Sequence, residues 1–399
     1  MTDDTAQQTR PALRKPLDGI RVIDLTRVLS GPFCTMLLGD MGAEVIKIEP
    51  PGKGDPVRKQ GACRNGLSWY FAAFNRNKKS VELDLYSESG KADLAALLSD
   101  ADVLVDNFRP GVLARIGFGP ERLNAINPRL VSCNINGYGT DGPLSERPAF
   151  DFIIQAMSGF MSVNGDHDQP PMRSGQPITD LIGGLYGAFG IVNALRARDL
   201  NGCGQHLDSS LLNGTVSFMA YLASEYLISG ELQPRTGNNH PLVAPYGLFE
   251  ASDGEVAVAP SNDRIVQKFL ACLDLDHLLA DPRFATNADR FPRRAELKRL
   301  IDERMREQPQ AVWIERLNAA GVPSGKVQNL AEVFADPQIR AQEMVIDVEH
   351  PDAGTVRMLG FPVKLEKTPC EVRLPAPRLG EHTEEVLSSA RRRAARQQQ

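Results

Sequence analysis

The sequence predicts an α/β protein whose parallel sheet is covered by helices on both faces. Two observations carry that prediction. Short apolar runs that read as buried strands alternate, through residue 135, with helical stretches of about ten residues. The 399-residue chain is 42% apolar and 24% charged, ordinary for a soluble globular protein and long enough for two or three domains.

Residues 1–16 read as a disordered leader. The first strand falls at Gly19-Ile20-Arg21-Val22-Ile23-Asp24-Leu25. Gly31-Pro32 then opens a helix that runs to Met41 and stops at Gly42. Glu44-Val45-Ile46-Lys47-Ile48-Glu49 is the second strand. The unit returns as Ser80-Val81-Glu82-Leu83-Asp84-Leu85, a helix over 90–99, and Asp102-Val103-Leu104-Val105-Asp106. Leu130-Val131-Ser132-Cys133-Asn134-Ile135 is a further strand. Helical patterns follow over 151–159, 179–198 and 211–228. Around 230–245 the composition turns to Gly, Pro, Asn and His, which marks a domain boundary. Beyond it lie short strands (246–250, 255–259), amphipathic helices (294–307, 311–320) and a β-rich stretch at 345–365. Residues 391–399, with Arg391, Arg392, Arg393 and Arg396, read as a frayed, solvated tail.

A net charge of −5 argues against a nucleic-acid partner. The six cysteines (Cys34, Cys63, Cys133, Cys203, Cys272, Cys370) form no C-x-x-C pair, as expected of reduced thiols in a cytoplasmic protein. The polar, acidic N-terminus lacks the apolar core of a secretory signal. Residues 181–195, with Gly183, Gly184, Gly187 and Gly190, fall short of the roughly 20 apolar residues a membrane span needs. They read as a buried helix, and no membrane partner is expected.

No G-x-G-x-x-G follows a strand, and Gly52-Lys53-Gly54-Asp55 lacks the phosphate-loop pattern, so NAD and ATP are not expected. Gly165-Asp166-His167-Asp168 offers metal-ligand residue types, but adjacent side chains diverge and Pro170-Pro171 marks a loop. It reads as a polar turn, with no metal expected. His206, His240, His277, His350 and His382 each stand alone, without a motif partner that would identify a general base.

Asp180 is the strongest local oddity. It follows Pro177-Ile178-Thr179 at the head of a charge-free, glycine-rich apolar helix. The structural expectation is a helix N-cap. The functional expectation is a carboxylate nucleophile that the helix start keeps ionised. The glycines after it would let a backbone or a ligand approach closely.

A set of motifs, in order, resembles the family III CoA-transferases from Leu17 to Leu387. They are Pro16-Leu17-Asp18-Gly19-Ile20-Arg21-Val22-Ile23-Asp24-Leu25-Thr26, Gly31-Pro32, and Leu38-Gly39-Asp40-Met41-Gly42-Ala43-Glu44. Next come Phe74-Asn75-Arg76-Asn77-Lys78, Asp106-Asn107-Phe108-Arg109-Pro110-Gly111, and Asp151-Phe152-Ile153-Ile154-Gln155-Ala156. The last are Gly237-Asn238-Asn239-His240-Pro241, Gly321-Val322-Pro323 and Leu379-Gly380-Glu381-His382-Thr383. The resemblance implies a doubly wound, Rossmann-like large domain made of both chain ends (17–230 and 341–390). A small α+β domain with linkers (231–340) lies between them, and the homodimer is interlocked.

The resemblance also implies a reaction. CoA moves from an acyl-CoA donor to a carboxylic acid through an aspartyl anhydride and an aspartyl-CoA thioester on Asp180. CoA is a substrate, and no cofactor is permanently bound. Leu29, Ser30, Leu83, Asn107, Phe108 and Arg115 occupy CoA-binding positions, and Tyr138 and Asn136 occupy substrate positions. Pro50 and Asn136 stand where some members carry Arg and Lys, which argues against formyl-CoA or oxalate chemistry. The 151–162 stretch looks like members that use succinyl-CoA or another dicarboxyl-CoA. Arg64, Arg76 and Arg173 are candidates for a distal carboxylate, each set against a surface or CoA-phosphate contact. The alternative activity on this fold is 2-methylacyl-CoA racemisation, which needs two acid/base groups; its histidine position here is Phe150. A silent CoA-binding scaffold is the non-enzymatic alternative, and an intact Asp180 argues against it.

Overall fold

A computed structural model describes residues 13–397; most of the expected leader therefore lies outside the described residues. The chain divides into two compact units. The larger takes in residues 1–158, 175–218 and 338–399, the smaller 159–174 and 219–337.

The larger unit is built on a six-stranded sheet: β1 (Arg21–Asp24), β2 (Glu44–Glu49), β3 (Lys78–Glu82), β4 (Val103–Asp106), β5 (Val131–Asn136) and β6 (His206–Ser210). Their order is β3-β2-β1-β4-β5-β6, every pair parallel. This is the doubly wound order, in which the chain leaves β1 toward one edge and β4 toward the other. Its helices are α1 (Ser30–Asp40), α2 (Trp69–Asn75), α3 (Glu88–Leu98), α4 (Val112–Ile116), α5 (Pro120–Ile126), α6 (Asp151–Met157), α7 (Ile178–Asn201) and α8 (Leu211–Phe218).

Alternation along the strands splits the core into two layers. Val22, Val45, Val103, Val131 and Cys133 pack with Cys34 and Leu38 of α1 and Ile191 and Leu195 of α7. Ile23, Ile46, Val81 and Leu104 pack on the other face with Leu94 and Leu97 of α3. The chain end returns to that second layer. His382 N–H donates to the Ser80 carbonyl at 2.9 Å, and the helix Thr383–Gln397 buries Val386, Leu387 and Ala390 there.

Four expectations need correction. The residues from 391 are helical through Gln397, because the buried stripe continues to Ala390 and Arg391 pairs with Asp93 at 2.7 Å. The sheet has a sixth strand, β6, that its polar sequence concealed. The apolar segment is a 24-residue helix, long and apolar enough to cross a membrane by length and composition alone, so shortness does not exclude that role. What marks α7 as a core helix is its packing on α1 and the sheet. Finally, the larger unit's middle segment ends at residue 218, not 230. Ala220 takes φ 49, which breaks the apparent single helix over 211–228 into α8 and Ala220–Ser229.

The smaller unit is α+β. Strands Gly247–Ala251, Gly254–Val258 and Ser324–Lys326 form an antiparallel sheet. Helices Asp263–Cys272, Arg294–Met305 and Gln310–Ala319 close its core around Phe249, Phe269 and Trp313. In this unit the 165–168 turn is tied by Arg235, which donates to the carbonyls of Asp166 and Gln169. Among the described residues no group of three metal-ligating side chains occurs.

Candidate active site

Ligands of doubly wound sheets bind beyond the strand carboxyl ends where the order reverses, here between β1 and β4. The loop from β1 into α1 is clamped there from three sides. Thr26 N–H donates to Asp24 at 2.8 Å. Arg27 exchanges both backbone hydrogen bonds with the Asn107 side chain, at 2.9 and 2.8 Å, which ties the β1 loop to the β4 loop. Val28 N–H reaches both Asp55 oxygens at 3.2 Å and sits at φ 69, a strained conformation for a β-branched residue. Asp55 is itself fixed by Lys47 at 3.0 Å, both side chains fully buried. The clamp delivers Leu29 and Ser30 to the start of α1, which has no side-chain cap. No side chain therefore caps its first N–H groups.

α7 lies directly against this start. Gly183, Gly184 and Gly187 occupy one face of it, and a β-carbon at Gly184 would sit 2.5 Å from the Ser30 carbonyl oxygen. Asp180 precedes Gly183 and Gly184 by three and four residues, so it tops that same face beside α1. The expected close approach over the glycines is present.

The capping expectation for Asp180 fails. The N-cap of α7 is Pro177, and Asp180 lies inside the first turn. The cap comes instead from Asp151 at the head of α6. One oxygen accepts from the Thr179 N–H and hydroxyl, both at 2.9 Å, and the other from Gln155 Nε2 at 2.7 Å. Among the described residues the Asp180 carboxylate has no hydrogen bond or ion pair. Burial, and then the Asp151 charge, push its carboxyl up to about 7, against the pull of the helix start toward the ionised form. The Asp180 charge reaches the Tyr70 phenol of α2: burial and then that charge raise Tyr70 above its ordinary value.

The other expected site residues divide. Leu29 and Ser30 are buried, and among the described residues the Ser30 hydroxyl has no hydrogen-bond partner. Phe108 lies in the β4 loop, with the Arg27 guanidinium 5.3 Å from its ring centre. Arg115 is exposed on α4. Leu83 is a core residue beneath α3, and the Asn107 amide is spent on Arg27. Tyr138 is buried and donates to Met157 Sδ at 3.4 Å. Asn136 is committed to structure: its amide N–H groups go to Asn134 and Asp208, and its oxygen accepts from Gly139 N–H. Arg76 is not available to a substrate, because it forms a buried pair with Asp40 at 2.7 Å. Arg64 is exposed in the larger unit and Arg173 in the smaller. Arg27, Asp55, Tyr70 and Asp151 were missed; each acts through a partner distant in sequence, which no local motif encodes.

The chain matches the family model "CoA-transferase family III" over residues 17–383. It is 41% identical to acetyl-CoA:oxalate CoA-transferase of Acetobacter aceti, covering 90% of this chain and 91% of that one. It is 37% identical to human succinyl-CoA:glutarate CoA-transferase, covering 95% and 86%. Succinyl-CoA–D-citramalate CoA-transferase of Chloroflexus aurantiacus is also 37% identical, covering 94% of each. A CAIB/BAIF family protein of Brucella suis, known by crystal structure, superposes with a TM-score of 0.85 at 37% identity, over 95% of this chain and all of that one. The chain belongs to CoA-transferase family III and is a CoA-transferase.

Proposed function

We propose that this enzyme moves CoA from a dicarboxyl-CoA donor such as succinyl-CoA to a carboxylic acid acceptor, with Asp180 as the nucleophile. The observation that carries the reading is an unpaired Asp180 carboxylate atop the glycine face of α7, beside the uncapped start of α1. The succinyl-CoA relatives named above support the donor class.

An Asp180 oxygen bonds to the thioester carbonyl carbon, the C–S bond breaks, and CoA leaves as thiolate. The thiolate then attacks the Asp180 side-chain carbonyl carbon of the mixed anhydride, and the donor acid leaves as carboxylate. The acceptor carboxylate attacks the resulting aspartyl-CoA thioester, and the returning thiolate releases the new acyl-CoA and free Asp180. Each covalent intermediate is itself an activated carboxyl derivative, so the reaction needs no ATP, and water must be kept from each of them.

The racemase alternative needs a second acid/base group, and Phe150 supplies none. A homodimer is part of the proposal. α7 leaves Leu185, Phe189 and Val192 exposed, with Val216 and Phe218 of α8 and Phe152 of α6, an apolar surface that a second copy would cover.

The test is incubation with succinyl-CoA and a panel of acids (glutarate, oxalate, citramalate, mesaconate), with Asp180→Ala alongside. New thioesters from wild type alone are expected. α-Proton exchange on a 2-methylacyl-CoA with no transfer to any acid would overturn the reading.

A further inference from the structure

We propose that Asp151 is a positioning residue for the nucleophile: it clamps the start of α7 through Thr179, and its negative charge is the repulsion that acylation of Asp180 relieves. The inference rests on the proposed role of Asp180.

The geometry makes Asp151 an anion. All three of its partners donate: Thr179 N–H and Oγ1–H to one oxygen, Gln155 Nε2–H to the other. Its side chain is buried, at 8% exposure, so this charge is poorly screened. It also occupies the place an N-cap side chain would take, where it offsets the positive end of the α7 dipole. Asp180, the residue after Thr179, is left under the influence of that negative charge. Among the described residues the charge that acts on its carboxyl is that of Asp151, from α6, and Asp180 in turn acts on the Tyr70 phenol of α2; neither is a cation.

Chemistry gives this arrangement a use. An ordinary carboxylate is a weak nucleophile toward a thioester, and one made more basic by burial and a like charge attacks better. When an Asp180 oxygen bonds to the acyl carbon and thiolate leaves, the side chain becomes a neutral carbonyl and its repulsion with Asp151 disappears. The charge moves onto sulfur and leaves the pair. Asp151 thus raises the free nucleophile relative to both covalent intermediates.

The experiment follows formation of the aspartyl-CoA adduct from succinyl-CoA by quenched-flow mass spectrometry, from pH 5 to 9. Wild type is expected to show an acid limb with a midpoint near 7. In Asp151→Asn the limb moves down by about one pH unit or more, a tenfold change in the ionisation constant, and the plateau rate falls about tenfold. Asp151→Glu, which restores the charge, returns the limb to the wild-type midpoint. Asp106, which burial also pushes up to about 7, titrates in the same window. Its surroundings are unchanged in these variants, so the shift identifies the responding group.

A uniform loss in Asp151→Asn with an unmoved limb would reduce Asp151 to a structural cap and overturn the proposal. Carbodiimide labelling of wild type is a second measurement that needs no variant. Labelling of Asp180 should decline with a midpoint near 7, and a midpoint near 4 overturns the proposal. Failure of the underlying reading looks different: Asp180→Ala would still form the adduct and transfer CoA.

Discussion

Gly184 faces the Ser30 carbonyl so closely that a β-carbon there would lie 2.5 Å from the oxygen. Backbone therefore meets backbone at the crossing of α7 and α1, and the site rests on that contact. Gly184→Ala must separate the helices, which overpacking data put at about 1–3 kcal/mol. Adduct formation should fall at least about tenfold, since a displacement of about 1 Å suffices for far more. Gly190→Ala is the control. Its β-carbon would meet only the tip of Leu207, at 3.0 Å, so activity and melting temperature should change little.

The raised carboxyl of Asp180 should cost the enzyme stability. Its folded pKa near 7 lies above the ordinary 3.8, so the unfolded chain gives up this proton first as pH rises. Wild type should therefore lose stability relative to Asp180→Asn between about pH 4 and pH 7, with the full deficit above that. Discounted for partial exposure, the deficit is roughly 2 kcal/mol, read as a pH-dependent difference in urea midpoints. A difference that is constant with pH would contradict it.

Asn107 joins the β1 and β4 loops by two hydrogen bonds to Arg27. Asn107→Ala should free the β1 loop, raising KM for the CoA donor several-fold while the acceptor KM stays unchanged. Asn107→Asp keeps the acceptor for Arg27 N–H and loses the donor, so it should fall between. Steady-state kinetics with both substrates varied checks this.

Arg76 and Asp40 should behave as a buried pair. Arg76→Met strands Asp40 and should cost roughly 3–5 kcal/mol, while the folded fraction keeps its KM for every acceptor. A selective loss of dicarboxylates would return Arg76 to the substrate site.

The sequence made the strands legible where they were apolar and silent where they were not. Residues 22–25 and 103–105 announce themselves, whereas His-Leu-Asp-Ser-Ser at β6 does not, because that edge strand is partly exposed. The break at Ala220 hides inside an apolar run with no glycine or proline to mark it. At the candidate site, Asp180 stood out in sequence by its place at the head of a glycine-rich apolar helix. The cap it leaves vacant did not, because Asp151 lies 28 residues from Thr179 and only the folded chain brings them together. Arg76 shows the converse error: a conspicuous cation in sequence had its counter-ion at Asp40, 36 positions away.

The terminal helix has a consequence for biosynthesis. Gly380 bonds Ser80 across 300 positions, and Arg391 holds Asp93 across 298. At about 5–20 residues per second, a ribosome needs roughly 15–60 s to make what lies between. Through that interval β3 and α3 wait with an open flank while the whole inserted unit is synthesised and folded. A nascent chain of this protein is thus exposed to a neighbour for far longer than its size would suggest.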